Sequence, residues 1–248
     1  VDYSEKNEDC CVGVYRIAGA ATAVQTSLVP GAVIPLDTEY RSITTPGRPF
    51  VENTDDFGFS SHLAIDLSDD ITFKSILAHR KFDGLNSVDA DLGAADILQQ
   101  IIDVSQELNS AEATLNGNWG KLDWLAGAYY SDESIDYRPS LTYGAAVKRF
   151  ITALTGGAIN AATTAALYPT GGGNTGSVFK QESSSYSFFT HNQYQLTDRW
   201  GVVAGLRYNH EDKEGGLVSY TTNSPSCGGG PFNGPQDFTN FDRCITRS

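Results

Sequence analysis

Apolar and polar residues alternate with a period of two between Trp200 and Asn209. One set of alternate positions is apolar and carries an aromatic residue at each end: Trp200, Val202, Ala204, Leu206 and Tyr208. The other set contains glycine, an amide and a charge: Gly201, Val203, Gly205, Arg207 and Asn209. Such alternation predicts a β-strand. Aromatic rings at both ends of the apolar set are typical of a membrane-spanning strand, because Trp and Tyr lie at the two headgroup layers.

The length of this strand fits a membrane. At about 3.3 Å per residue, the path from Trp200 to Tyr208 is ~26 Å long. A tilt of about 40° reduces that to ~20 Å along the membrane normal, close to the ~25 Å apolar band of an outer-membrane barrel.

The alternation also predicts three hairpins with short turns. The predicted strands are about 56–67, 71–82, 104–116, 121–132, 181–196 and 199–213. The loops on the other side of the hairpins are long, at about 4–55, 83–103, 133–180 and 214–248. Compact soluble domains rarely contain several structureless loops of this length. We therefore predict an all-β fold over residues 1–248, a segment of an antiparallel transmembrane β-barrel with short periplasmic turns and long extracellular loops.

Two of the predicted loops contain apolar residues at helical spacing. They are 93–104, with Ile97, Ile101 and Val104, and the alanine-rich stretch 145–167. We expect short helices that pack within the extracellular loops.

The net charge and the lengths of the apolar runs exclude some classes of partner and of membrane segment. The chain has 17 Lys and Arg against 30 Asp and Glu, for a net charge of -13. Because phosphate binding needs clustered basic residues, nucleic acid is not an expected partner. No apolar run reaches the ~18–20 residues of a spanning helix, so a membrane role requires β-strands. The alternative is a soluble or surface-anchored all-β binding or structural protein of a cell-surface assembly, which would bury the apolar face in a core.

The four cysteines suggest an oxidising compartment. Cys227 and Cys244 flank a loop rich in Gly, Pro and Asn, which predicts a disulfide worth ~3 kcal/mol in chain entropy. A zinc site is the rival interpretation, but no histidine lies near at ligand spacing. Cys10 and Cys11 are adjacent, and three states remain open for them: a vicinal bridge, bonds to cysteines elsewhere, or free thiols.

No catalytic residue, metal site or cofactor is predicted. The histidines lie on separate strands without ligand spacing: His62, His79, His191 and His210. The glycine runs 171–173 and 228–230 lack the strand, helix and lysine of a phosphate loop. Asp89, Asp91 and Asp96 lack the glycine and distal glutamate of a calcium loop, so they predict a solvated acidic loop. We also hypothesise, from the net charge alone, that the acidic loops attract divalent cations that bridge lipopolysaccharide phosphates.

Alternation assigns the strand residues to two faces. The candidates for the lumen of the barrel are Lys74, Arg80, His191 and Arg207. The candidates for the membrane are Trp124, Tyr130, Trp200, Leu206 and Tyr208. Inward charges determine which ligands pass through a large barrel. We expect these cations to pair within the wall with Asp66, Glu107 or Glu211, the alternative being direct contact with a ligand.

Several strand segments together resemble the TonB-dependent outer-membrane receptors of Gram-negative bacteria. They are 71–80, 105–108, 121–130 and 196–208. The resemblance implies a barrel of about 22 strands with a plug, without catalytic activity. It implies uptake of a scarce nutrient such as an iron–siderophore complex, cobalamin or a glycan. The plug and the TonB-contacting segment have no match in this chain.

The resemblance also implies the partners and the location. The expected location is the bacterial outer membrane with extracellular loops. The expected partners are outer-membrane lipid and lipopolysaccharide, a small nutrient ligand, and the TonB system through parts outside this chain. A partial barrel has open sheet edges, which lipid does not tolerate. Other residues or another chain are therefore expected to complete the sheet.

We predict that Cys227 and Cys244 are bonded to each other. A proteolytic peptide map of unreduced protein should contain the two cysteine peptides as one linked species that reduction separates. Cys244→Ser should make Cys227 reactive toward iodoacetamide without reduction. Alkylation of both wild-type cysteines without reductant would contradict the prediction.

Overall fold

The computed structural model of the chain describes residues 1–9, 13, 15–32, 42–160, 162 and 173–221. All four cysteines lie outside the described residues, so the disulfide between Cys227 and Cys244 stays a prediction.

Seven antiparallel strands form one sheet, in which each strand pairs with its neighbours in sequence. The strands are β1 Asp2–Glu8, β2 Val51–Ser68, β3 Ile71–Asp89, β4 Leu98–Trp119, β5 Leu122–Tyr143, β6 Asn174–Thr197 and β7 Trp200–Thr221. The helices are α1 Ala20–Leu28 and α2 Val147–Leu154. The predicted all-β meander is confirmed. Among the described strands, β1 and β7 are not paired with each other, so the sheet is open at both edges.

Tight turns define one end of the sheet. Two-residue turns at 69–70, 120–121 and 198–199 join the hairpins, and Gly120 supplies the positive φ (68°) that its turn needs. Backbone hydrogen bonds join each turn to the neighbouring hairpin. Asn118 N donates to Asp70 O at 3.0 Å, and Gln195 N donates to Lys121 O at 2.8 Å. These bonds keep the turns of the three hairpins together at the same end.

The strands run further from the turns than the alternation predicted. β4 and β5 pair without a break from Trp119↔Leu122 to Leu98↔Tyr143. The alternation of apolar and polar residues ends before the strands end, because both faces become polar there. The backbone hydrogen bonds nevertheless continue. The helix predicted over 93–104 is therefore wrong from Leu98 onward. The helix predicted within 145–167 is present as α2, and α1 lies in a segment that was predicted as loop.

The buried apolar cluster lies at the end of the sheet far from the turns. It consists of Ala95, Ile97, Ala146 and Val147, with Leu28, Val29, Leu98, Tyr143, Phe150 and Ile151 packed around it. We call α1, α2 and the segments 15–19, 42–50, 90–97 and 144–146 the cap. No helix in the described part of the chain is long and apolar enough to cross a membrane.

Acidic side chains hold the cap to the sheet. Asp89 accepts backbone hydrogen bonds from Thr45 at 2.6 Å and from Asp91 and Leu92 at 3.1 Å each. Asp96 accepts from the Arg48 guanidinium at 2.6 Å and from Ala145 N at 2.8 Å. Asp89 is only 5% exposed. The prediction of a solvated acidic loop is therefore wrong, because these carboxylates satisfy backbone amides that would otherwise be buried without acceptors.

Gly144 lies where the cap meets the end of β5. Its amide donates to Ile97 O at 2.7 Å, and a Cβ there would overlap the backbone carbonyl of Asp96. We expect Gly144→Ala to lower the free energy of unfolding by about 1–3 kcal/mol, because backbone atoms must move to admit the methyl group. The measurement is the urea midpoint in detergent micelles.

Gly216→Ala is the matched control for Gly144→Ala. Nothing lies within 4 Å of the position its Cβ would take, so no loss of stability is expected. Equal midpoints for the two variants would refute the steric argument at Gly144.

Candidate functional site

The pairing register assigns every strand residue to one of two faces. Residues directly opposite each other on antiparallel strands lie on the same face, and residues two apart on one strand do so as well. We call the face that includes Trp200, Leu206 and Tyr208 the tryptophan face. We call the face that includes Arg207 the arginine face. The register from β2 to β7 is continuous apart from one irregularity beside the turn in β2–β3 and one in β6–β7, and it extends both assignments across the sheet.

The tryptophan face carries an apolar band next to the turns. Its large members are Phe57, Phe59, Leu63, Ile65, Phe73, Leu77, Leu115, Trp124, Tyr130, Phe188, Tyr194, Trp200, Val202, Leu206 and Tyr208. Leu206 is 75% exposed and Trp200 is 72% exposed. The described residues contain no second sheet that covers this band. An uncovered apolar surface of this extent marks a site of contact with lipid or with another protein.

All five residues predicted to face the membrane lie on the tryptophan face. Tyr130, Trp200, Leu206 and Tyr208 are exposed. Trp124 is half-buried against Trp119, with ring centroids 4.9 Å apart. The alternative fold, a sandwich, would bury these side chains in a core, which the described residues do not do.

An aromatic cluster separates the apolar band from a charged region on the same face. The Tyr186 ring lies 6.0 Å from Phe188, 6.3 Å from Tyr208 and 5.0 Å from His210. Further from the turns the same face carries mostly charged and polar residues, among them Lys81, Asp83, Asp103, Glu107, Asp132, Asp136, Arg138, Lys180, Glu182, Asp212 and Glu214. Arg138 bonds Asp136 at 2.6 Å. The change in polarity occurs near the middle of each long strand.

The length of the strands exceeds the apolar band. β5 has 22 residues, which is about 70 Å at ~3.3 Å per residue. An outer-membrane apolar band is only ~25 Å tall. About half of each long strand therefore lies beyond the band, and the cap lies at the far end of this extension.

All four predicted lumen candidates lie on the arginine face: Lys74, Arg80, His191 and Arg207. Arg207 lies over the Phe189 ring, 5.3 Å from its centroid, and donates to Asn209 Oδ1 at 2.6 Å and to Ser187 Oγ at 3.0 Å. Arg80 donates to Asp56 at 2.5 Å, and Asp2 lies 3.7 Å from its guanidinium.

The predicted acidic partners of these cations differ from the observed ones. Glu107 is opposite Lys81 on the tryptophan face, so it cannot pair with an inward cation. Glu211 is on the arginine face but pairs with Lys213 at 3.3 Å, and Asp66 accepts from Thr72 at 2.8 Å. The register explains the difference for Glu107, since a residue one position along a strand points to the other face, whereas Glu211 and Asp66 are on the arginine face and have other partners.

Arg80 borders a recess of about 150 Å³ on the arginine face, and the recess is lined by Asp56, Arg80, Phe82, Gln106 and Leu108. Asp56 Oδ1 is buried and has no hydrogen-bond partner, although its other oxygen bonds Arg80. Gln106 donates to Glu133 at 2.6 Å. The recess thus combines a cation, an unpartnered acceptor and two apolar walls, which suits a small group that is both polar and apolar.

The sequence interpretation missed most of this recess. The irregularity between Asp66 and Ser68, next to the turn at 69–70, places Arg80 opposite Gly58 and Phe82 opposite Asp56. Counting outward from the two-residue turn alone would put Arg80 opposite Phe59, so the turn does not identify Asp56 as the partner of Arg80. Gln106 and Leu108 depend on the β3–β4 register, which follows the eight-residue connection 90–97 and has no turn signal either.

The histidines divide between the faces. His62 and His191 are on the arginine face, and His79 and His210 are on the tryptophan face. His210 lies 2.8 Å from Asp212. Within the part of the chain that the structure describes, no three His, Cys, Asp or Glu side chains are grouped as metal ligands.

A comparison with known protein families shows which family this chain belongs to. Residues 17–241 match the family described as TonB dependent receptor-like, beta-barrel. The chain belongs to the TonB-dependent receptor family. The resemblance inferred from the strand segments is confirmed, and the open meander corresponds to part of a TonB-dependent receptor barrel.

Two further comparisons place this TonB-dependent receptor chain among known proteins. The crystal structure of the ferric yersiniabactin uptake receptor FyuA from Yersinia pestis is similar with a TM-score of 0.48 and 13% sequence identity. The similarity covers 73% of this chain and 24% of FyuA, so this chain spans about a quarter of the length of that receptor. No protein of curated function matches the sequence.

Proposed function

We propose that this chain forms part of the wall of an outer-membrane transporter, with its tryptophan face in lipid and its arginine face toward the lumen. The exposed apolar band beside the turns supports this orientation most directly. Lipid removes such a band from water without a second protein layer, and aromatic residues such as Trp200 and Tyr208 match the interfacial girdles of membrane barrels.

The proposed orientation places the tight turns in the periplasm and the cap outside the cell. Short turns and long extracellular connections are the usual arrangement of these barrels. The charged half of each strand then extends among the lipopolysaccharide headgroups, which are proposed partners together with outer-membrane lipid. Lipid does not tolerate unpaired backbone groups at the sheet edges, which in the apolar band are β7 and the part of β2 beyond its pairing with β1. Further residues or another chain are therefore proposed to pair with both edges.

The proposed transport function is uptake of a scarce nutrient, such as an iron–siderophore complex, cobalamin or a glycan, without catalysis. Family membership supports transport driven through TonB, which would contact parts outside this chain. On this chain, the recess beside Arg80 is the proposed contact for the ligand on its way through the lumen.

Cysteine labelling tests the orientation of β7. We predict that Leu206→Cys reacts with a lipid-soluble maleimide in native membranes, whereas Gly205→Cys and Arg207→Cys react with a water-soluble one. The reason is the alternation of faces along β7, where Leu206 is opposite Thr190 and Gly205 is opposite His191. The background is the receptor with the four cysteines of this chain, and any outside it, replaced by serine.

Each labelled position is a control for its neighbours, because adjacent residues of β7 point to opposite faces but lie at nearly the same depth in the membrane. Failure of Leu206→Cys to react with either reagent would mean that a protein core covers the band. The transporter proposal would then be rejected.

A second test uses two adjacent cations on opposite faces of β3. We predict that Arg80→Ala weakens binding of the transported nutrient by ~10-fold or more, since a hydrogen bond to a charged group contributes about 1.5–3 kcal/mol. Lys81→Ala is the control, because Lys81 points to the tryptophan face and bonds Asp83 at 2.9 Å.

The measurement is binding of radiolabelled ferric siderophore, cobalamin and oligosaccharide probes to cells that contain the complete receptor. Equal losses in the two variants, or no loss in Arg80→Ala, would exclude the recess as a ligand contact.

A further inference from the structure

Gln25 connects α1 to the segment that follows β3. The side chain is 3% exposed, and its Nε2 donates to the backbone oxygen of Asp91 at 2.7 Å and to the Tyr15 hydroxyl at 3.3 Å. A backbone carbonyl only accepts hydrogen bonds, so it determines which end of the Gln25 amide faces it. The amide oxygen Oε1 is consequently turned away, and it is buried without a hydrogen-bond partner.

The Asp91 side chain presents a second unpartnered acceptor at the same place. Asp91 is 7% exposed, and its Oδ2 accepts from Leu98 N at 2.8 Å and from Ile97 N at 3.3 Å. Its Oδ1 is buried without a partner. The Cβ position of Gly93 is 2.7 Å from Gln25 Oε1 and 3.2 Å from Asp91 Oδ1, so the two oxygens are at most 5.9 Å apart, the sum of these distances.

Two buried acceptors that face one small region lack a donor between them. An ionised Asp91 cannot supply one, because a carboxylate only accepts, whereas a protonated carboxyl group has one O–H to donate. Leaving both acceptors unpartnered away from water is unfavourable. We propose that Asp91 takes up a proton on Oδ1 and donates it to Gln25 Oε1, and that this hydrogen bond is a latch that holds α1 against the 90–97 segment.

The surroundings of Asp91 favour the protonated form. Burial above all, together with the Asp89 carboxylate, raises the pKa of Asp91 from its ordinary 3.8 to about 7, against the opposing effect of the amides of Leu98, Ile97 and Gly93. The Tyr15 hydroxyl donates to the backbone oxygen of Asp91.

Two segments near Asp91 carry a cation. In 15–19, Arg16 is exposed next to Tyr15, and the other segment is 42–50. Its Arg48 bonds Asp96 at 2.6 Å and Gln99 at 3.1 Å, and the charged group that acts on the Asp91 pKa is Asp89. The described residues also contain no group of three metal-ligating side chains. A proton is therefore a better candidate than a metal ion for joining the two oxygens.

The sign of the pH dependence follows from the raised pKa. With the latch closed, Asp91 binds its proton more tightly than when it is exposed to water. Closure is strongest below 3.8, weakens as the pH rises toward about 7, and is constant above that pH, where the proton has gone to solvent in both states. One proton changes the opening equilibrium by up to about tenfold per pH unit in this interval.

Hydrogen exchange of the complete receptor in detergent micelles tests the latch. Protection of the α1 amides, corrected for intrinsic exchange, should fall by up to about tenfold per pH unit between pH 5 and about 7 and then level off. Asp91→Asn should keep α1 protected at every pH, because its amide nitrogen donates to Gln25 Oε1 while its oxygen still accepts from Leu98. Asp103→Asn, an exposed carboxylate on β4, is the matched control and should retain the wild-type pH dependence.

Constant protection in the wild-type protein would overturn the latch, and so would a wild-type pH dependence in Asp91→Asn. If Asp91→Asn does not fold, the wild-type protein decides alone through the ¹³C shift of the Asp91 carboxyl carbon. A midpoint near 7 supports the latch, and a midpoint near the ordinary 3.8 rejects it.

Discussion

The backbone hydrogen bonds between neighbouring strands are the constraint on which the other features depend. β6 and β7 remain paired from Thr197↔Trp200 to Thr175↔Thr221, with one irregularity beside the turn. Because the side-chain period is two, this register determines which residues share a face over the whole sheet. A slip of one residue would move Leu206 to the polar face and Arg207 into the apolar band. The turn at 120–121 continues directly into the β4–β5 register, whereas an irregularity beside the turn shifts the register by one residue in β2–β3 and in β6–β7.

The sequence predicted the sheet where its two faces differ and failed where they do not. Near the turns, apolar and polar residues alternate, and the hairpins could be located. Beyond the aromatic cluster, residues such as Asp132 and Arg138 leave no alternation, although the backbone pairing persists. The error at 93–104 has the same origin. Ile101 and Val104 have helical spacing, but they lie on opposite faces of β4. Ile101 is on the tryptophan face near the cap, and Val104 is on the arginine face.

The face of a strand residue could be assigned from sequence, but the partner of its side chain could not. The pairing of Arg80 with Asp56 lies within one hairpin, but it depends on the irregularity between Asp66 and Ser68, which the sequence did not reveal. The burial of Asp89 depends on the amide of Thr45, which lies 44 residues away. No pattern in side-chain polarity reports such a contact, and an aspartate-rich stretch is ordinarily exposed. Loop tertiary structure was therefore the part of the fold that the sequence left open.

The strand extension has a consequence for the first encounter with a solute. In the proposed orientation, β5 continues for 13 residues from Tyr130 to Tyr143. At ~3.3 Å per residue and a tilt of about 40°, this raises the cap by ~30 Å above the lipid. The extended part of the sheet therefore holds the cap away from the membrane surface. In the proposed orientation, a solute would first meet the protein at the cap, well above the membrane surface.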